Sequence, residues 1–176
     1  MKKSLFILAM FSTFAVVGQK ETEKKDHKKP SLILTMPKSQ SKKPVVYQVF
    51  TRLFGNKNTT NKPWGTIEEN GVGKFNDFTD KALQEIKKLG VTHIWFTGVP
   101  HHDVIRDYTK YGISNDDPDV VKGRAGSPYA VKDYYNVNPD LAVDPAKRFE
   151  EFEALIARTH KNGLKVIIDI VPNHVA

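Results

Sequence analysis

Leu164-Lys165-Val166-Ile167-Ile168-Asp169-Ile170-Val171, followed at once by Pro172-Asn173-His174, is the stretch that decides the fold. Five of its eight residues are β-branched, which favours extended backbone, and it is too short to be a helix of ordinary length. A near-continuous apolar run of this kind belongs in a parallel sheet covered on both faces. Just upstream, Phe149, Phe152, Leu155, Ile156 and Thr159 recur at helical spacing, with Asp144-Pro145 as a capping start and Gly163 as a stop.

The same order repeats towards the N-terminus. Val45–Phe50 and Val91–Thr97 read as two further strands. Between them Phe78, Ala82, Leu83, Ile86 and Leu89 mark a helix, with Asp77 as its expected N-cap and Gly90 as its end. The order strand–helix–strand–helix–strand predicts an α/β fold with a parallel sheet. Two long loops follow the strand ends, Gly55 to Asn76 and Gly98 to Val143. In such folds ligands bind where strand C-terminal ends meet their loops. The second loop carries Tyr108, Tyr111, Tyr129, Tyr134 and Tyr135, which favours a functional role.

The chain has 176 residues, too few for a complete eight-fold barrel of ~250. Its net charge of +7 sits wholly in residues 1–44, with ten lysines against three acids, and the rest is neutral. That balance argues against nucleic acid as a partner. There are no cysteines, which excludes disulfides, thiolate metal sites, cysteine nucleophiles and a lipoprotein anchor.

Residues 1–18 read as a signal peptide: basic Met1–Lys3, an apolar run Leu5–Val17, then Gly18. The run is shorter than the ~20 residues of a membrane span, so no transmembrane segment is expected in the mature chain. Secretion or periplasmic export with cleavage near Gln19 follows as the expectation. Residues 19–43 read as a lysine-rich leader, and residues 44–176 as the folded domain.

Asp169-Ile-Val-Pro-Asn-His174 at a strand end resembles the first signature of the α-amylase family, glycoside hydrolase family 13. Gly163-Leu-Lys-Val-Ile-Ile-Asp169, Ser127-Pro-Tyr-Ala-Val-Lys-Asp-Tyr-Tyr135 and Lys88-Leu-Gly-Val-Thr-His-Ile-Trp95 are similar to other blocks of that family, in the same order. The wording also resembles secreted enzymes of Bacteroidetes-type bacteria. The resemblance implies a TIM (β/α)8 barrel, of which these residues form the N-terminal portion, about three β/α units. It implies cleavage of α-glucosidic bonds in starch or maltooligosaccharides with retention, through one carboxylate nucleophile and one acid/base. In the family those groups follow strands 4, 5 and 7, so no catalytic residue is expected in this chain and the 176 residues alone are expected to be inactive. Asp169 is not the nucleophile.

The resemblance assigns substrate binding to three residues. His174 matches a histidine that hydrogen-bonds the sugar. Tyr129 matches an aromatic that stacks on the same sugar, as a flat ring suits a flat sugar face. Asp169 matches a residue that orients its neighbours. Asn173 stands where many family members supply an amide oxygen to structural calcium, a cation that takes six to eight oxygens. Asp133 and Tyr134 fit the same block as scaffold that fixes the loop. The neutral Asn56, Asn58 and Asn61 depart from the pattern of a second family metal site, and none is assigned. His101-His102-Asp103 reads as a solvated loop rather than a metal site, and the Asn58 glycosylation sequon reads as chance. The competing readings are a non-catalytic α-glucan-binding or partner subunit, and a self-contained three-stranded module, whose open strand edges would favour aggregation.

Overall fold

The computed structural model describes residues 43–174. The signal-peptide reading and all of the leader before Lys43 lie outside the described residues. The elements run β1 (Val46–Phe50), a one-turn α1 (Ile67–Asn70), α2 (Asp80–Lys88), β2 (His93–Thr97), β3 (Pro100–His102), β4 (Val131–Val137), α3 (Arg148–Lys161) and β5 (Lys165–Ile168).

β1, β2 and β5 form a parallel sheet in that order, with Val46 opposite His93 and Ile94 opposite Val166. A sheet of parallel strands with helices in the connections is the opening of a (β/α)8 barrel, as expected. Because strand side chains alternate, Ile94 and Phe96 point into the apolar core while His93, Trp95 and Thr97 lie on the opposite face. The core is built around Phe75, Phe78, Leu83, Ile94, Phe96, Leu141 and Leu155, each fully buried. Phe78 packs edge-on to Phe96 at 5.0 Å and stacks on Phe54 at 4.1 Å. Each such side chain contributes roughly 1.5–3 kcal/mol of burial free energy.

Helix onsets differ from the sequence reading. Asp77 is not the cap of α2: its carboxylate accepts the Lys74 N–H at 2.7 Å and closes a separate 3₁₀ turn over Phe75–Asp77. Thr79 is the cap, its hydroxyl accepting the Ala82 N–H at 3.2 Å. Phe78 therefore precedes the helix, and Leu89, the C-cap, stands exposed. Asp144 does cap, through the Ala146 N–H at 3.0 Å, but it caps a 3₁₀ turn (Pro145–Lys147) that leads into α3. Within α3, Leu155 and Thr159 are buried while Phe149 is largely exposed.

The stretch from Gly98 to Val143 is not one loop. β3 and β4 pair antiparallel within it, with Pro100 opposite Val137 and His102 opposite Val131. The asparagines of the first loop staple it internally. Asn56 and Asn58 donate their side-chain N–H groups to the carbonyls of Asn70 and Glu69, and Asn70 exchanges two hydrogen bonds with the Lys62 backbone.

Candidate functional site

The C-terminal ends of the parallel strands carry the candidate residues on the face opposite the core. Strand register sets Gln48, Trp95 and Ile167 side by side, with Thr97 and Asp169 one step further on. Two side-chain hydrogen bonds cross the sheet there. Gln48 donates to the Thr97 hydroxyl at 2.9 Å, and the Trp95 indole N–H donates to Asp169 Oδ1 at 2.5 Å. Asp169 Oδ2 is buried with no hydrogen-bond partner. A buried carboxylate oxygen is costly when left unpaired.

The turn after β5 is held from outside. The Tyr134 hydroxyl donates to the Val171 carbonyl at 2.6 Å and accepts the Val171 N–H at 2.9 Å. It fastens β4 to the segment that presents Asn173 and His174, both of which are exposed.

Tyr129 lies one residue beyond Pro128, which meets the end of β2. Its loop is folded by Gly126, whose φ of +65° suits glycine and whose missing Cβ would lie 1.7 Å from the Asp103 carbonyl oxygen. The next residue but one, Pro128, comes against the end of β2: a Cβ at Gly98 would stand 3.4 Å from Pro128 and from the Phe50 ring. Tyr129 itself is 43% exposed, and its N–H is donated to the Ser127 hydroxyl at 3.3 Å. Asp169 thus follows β5 directly, Asn173 and His174 stand exposed four and five residues further along the chain, and Tyr129 adjoins Pro128 at the end of β2.

Asn173 offers one amide oxygen. Among the described residues no group of three or more His, Cys, Asp or Glu side chains is placed to hold a metal ion. A calcium ion there would need further oxygens beside the Asn173 amide.

His101 and His102 are not in a solvated loop. Both are 2% exposed, because β3 lies under the Gly126 loop and against β4. His101 Nδ1 faces the Asn136 amide nitrogen at 3.2 Å, and its Nε2 is buried without a partner. Burial pushes its pKa down to about 4, with the Lys132 ammonium acting in the same direction. His102 sits between the carbonyls of Pro100 and Ala125, at 3.3 and 3.1 Å. Those carbonyls favour the charged ring, but burial outweighs them and lowers its pKa. The sequence signal for the partner strand is Val131–Val137, which holds Val131, Tyr134, Tyr135 and Val137, residue types that favour extended backbone. A strand there gives Pro100–His102 a partner and buries both rings.

Residues 48–176 match the family described as alpha amylase, catalytic domain. The chain belongs to the α-amylase family. It is 31% identical over 136 residues to trehalose-6-phosphate hydrolase of Bacillus subtilis (strain 168), covering 76% of this chain and 17% of that one. It is 27% identical over 157 residues to cyclomaltodextrin glucanotransferase of Bacillus sp. (strain 6.6.3), covering 82% and 19%. Among solved structures, an alpha-amylase from Lactobacillus plantarum is similar at 31% identity and a TM-score of 0.48, over 76% of this chain and 23% of that one. The chain spans less than a fifth of the length of these curated α-amylase relatives. No helix among the described residues is long and apolar enough to cross a membrane.

Proposed function

We propose that this chain supplies the sugar-contacting ends of the first barrel strands to a secreted enzyme that cleaves α-glucosidic bonds in starch or maltooligosaccharides with retention. The observation that carries the reading is the tie between Tyr134 and Val171, which holds the segment between Asp169 and His174 at the C-terminal end of β5, the end of a parallel sheet where ligands bind. His174 is then free to donate an imidazole N–H to a sugar hydroxyl, a bond that strengthens as the ring takes on oxocarbenium character. Tyr129 offers a half-exposed ring to the flat face of the same sugar. Asp169, fixed by the Trp95 indole, orients its neighbours at the strand end.

The covalent step belongs to carboxylates outside these residues. Asp169 is the one carboxylate within a residue of the described parallel strand ends, and retention needs two about 5–5.5 Å apart. In this reading the Met1–Gly18 segment directs export and is removed, and a calcium ion held by the Asn173 amide oxygen would take its remaining oxygens from outside the described residues.

The test is nuclear magnetic resonance titration of the full chain with maltoheptaose, with starch hydrolysis measured in parallel. Saturable shifts at Tyr129 and His174, weakened about tenfold by Tyr129→Ala or His174→Ala, are expected without starch hydrolysis. Starch cleavage by the pure chain, or equal shifts with cellohexaose, overturns the reading. N-terminal sequencing of the exported product is expected to begin near Gln19.

A further inference from the structure

The loops that follow β1 and β3 line an open cavity of about 390 Å³ to which Tyr129, Asp169 and His174 contribute no side chain. Three arginines line it: Arg52 from the end of β1, and Arg106 and Arg124 from the loop after β3. Two carboxylates, Glu68 and Asp140, also line it. Glu68 is paired with Arg106 at 3.1 Å. Asp140 is heavily engaged: Oδ1 accepts the Tyr108 hydroxyl at 2.5 Å, and the Lys74 ammonium donates to its backbone carbonyl at 2.5 Å.

Arg52 is left short of acceptors. Its Nη1 lies 3.6 Å from Asp140 Oδ2, beyond hydrogen-bond length, and is buried with no hydrogen-bond partner. Arg124 makes no ion pair among the described residues. Arg52 is ion-paired with Asp140 and Arg106 with Glu68, so the lining carries one net positive charge, on Arg124, and Arg52 keeps a guanidinium N–H without a hydrogen bond. Guanidinium groups present planar forks of donors that match tetrahedral oxyanions, and such charge-assisted bonds are the strong ones. The volume falls within the range of about 300–1,000 Å³ usual for small-molecule sites.

We infer that this cavity binds a phosphate monoester group, free or carried on a sugar. Arg52 is the buried anchor, and Arg124 closes on the anion from the exposed side. The inference goes beyond the glycosidase reading and does not depend on it, since its test uses no catalytic activity.

The experiment is calorimetric titration of the full chain with inorganic phosphate, glucose 6-phosphate and glucose at fixed ionic strength. Saturable phosphate binding is expected, weakened about tenfold or more by Arg124→Ala and by Arg52→Gln. Lys88→Ala removes the same charge from the distant α2 and is expected to leave it unchanged. Arg124 is exposed, so its variant carries the test even where Arg52→Gln perturbs folding, which circular dichroism would show. Glucose 6-phosphate binding more tightly than phosphate assigns the group to a sugar; equal binding assigns it to free phosphate. No saturable response up to about 20 mM phosphate, full affinity in Arg124→Ala, or equal binding of glucose overturns the inference.

Discussion

The Tyr134 hydroxyl bonds Val171 twice, giving its proton to the carbonyl at 2.6 Å and taking the N–H at 2.9 Å. One phenol thus does for the chain end of β5 what a neighbouring strand would do. Tyr134→Phe is expected to cost roughly 1–2 kcal/mol, since both backbone groups lose their partner at a partly exposed site. Amide hydrogen exchange at Val171 checks this: it should accelerate there while the amides of β2 keep their protection.

Two glycines with similar backbone angles separate strain from collision. Gly112, at φ +75°, has open space where a Cβ would go, and Gly112→Ala is expected to cost only the left-handed penalty of about 1–2 kcal/mol. Gly126→Ala meets the Asp103 carbonyl oxygen as well, and should cost at least ~1 kcal/mol more as the loop is forced away from β3. Urea midpoints of the two variants provide the comparison. Equal losses would show that the Gly126 contact relaxes at no cost.

His101 predicts an acid-side loss of stability. Its pKa is about 4 in the fold, against about 6.5 in an unfolded chain, so the unfolded state takes up a proton first. Stability is full above pH 6.5 and declines as pH falls towards 4, by about 3 kcal/mol at the limit. His102 acts in the same direction. Denaturation curves across that window should flatten in His101→Gln, and an unchanged slope would remove His101 as the cause.

Phe96 is fully buried and meets Phe78 edge-on at 5.0 Å. Phe96→Ala is expected to cost about 3–5 kcal/mol, because the aromatic neighbours cannot close the cavity. Phe149→Ala, on an exposed part of α3, should cost less than ~1 kcal/mol. Thermal unfolding of both variants tests whether the core lies between the sheet and the helices as described.

The parallel strands and both longer helices were legible because their apolar residues repeat with one clear period. Ile94 and Phe96 alternate on a strand, and Leu155 and Thr159 recur at helical spacing. Helix starts were less legible: Asp77 and Thr79 are both good caps, and only the tertiary burial of Phe78 decides that Asp77 serves a separate turn. The β3–β4 pair was hidden because β3 is three residues long and its pattern is polar. His101 and His102 look solvated until Val131–Val137 supplies a partner strand. The candidate sugar contacts were legible as a motif, whereas the bonds that hold them, Trp95 to Asp169 and Tyr134 to Val171, span 74 and 37 residues and leave no local trace.

The indole bond to Asp169 also gives the protein an internal light source. Of its two tryptophans, Trp64 is 63% exposed on the first loop, and Trp95 is tethered to the Asp169 carboxylate. In Trp64→Phe all tryptophan emission would come from Trp95. Any molecule that reaches Asp169, or any later strand that comes to cover it, would then announce itself as a colour change, with no label attached.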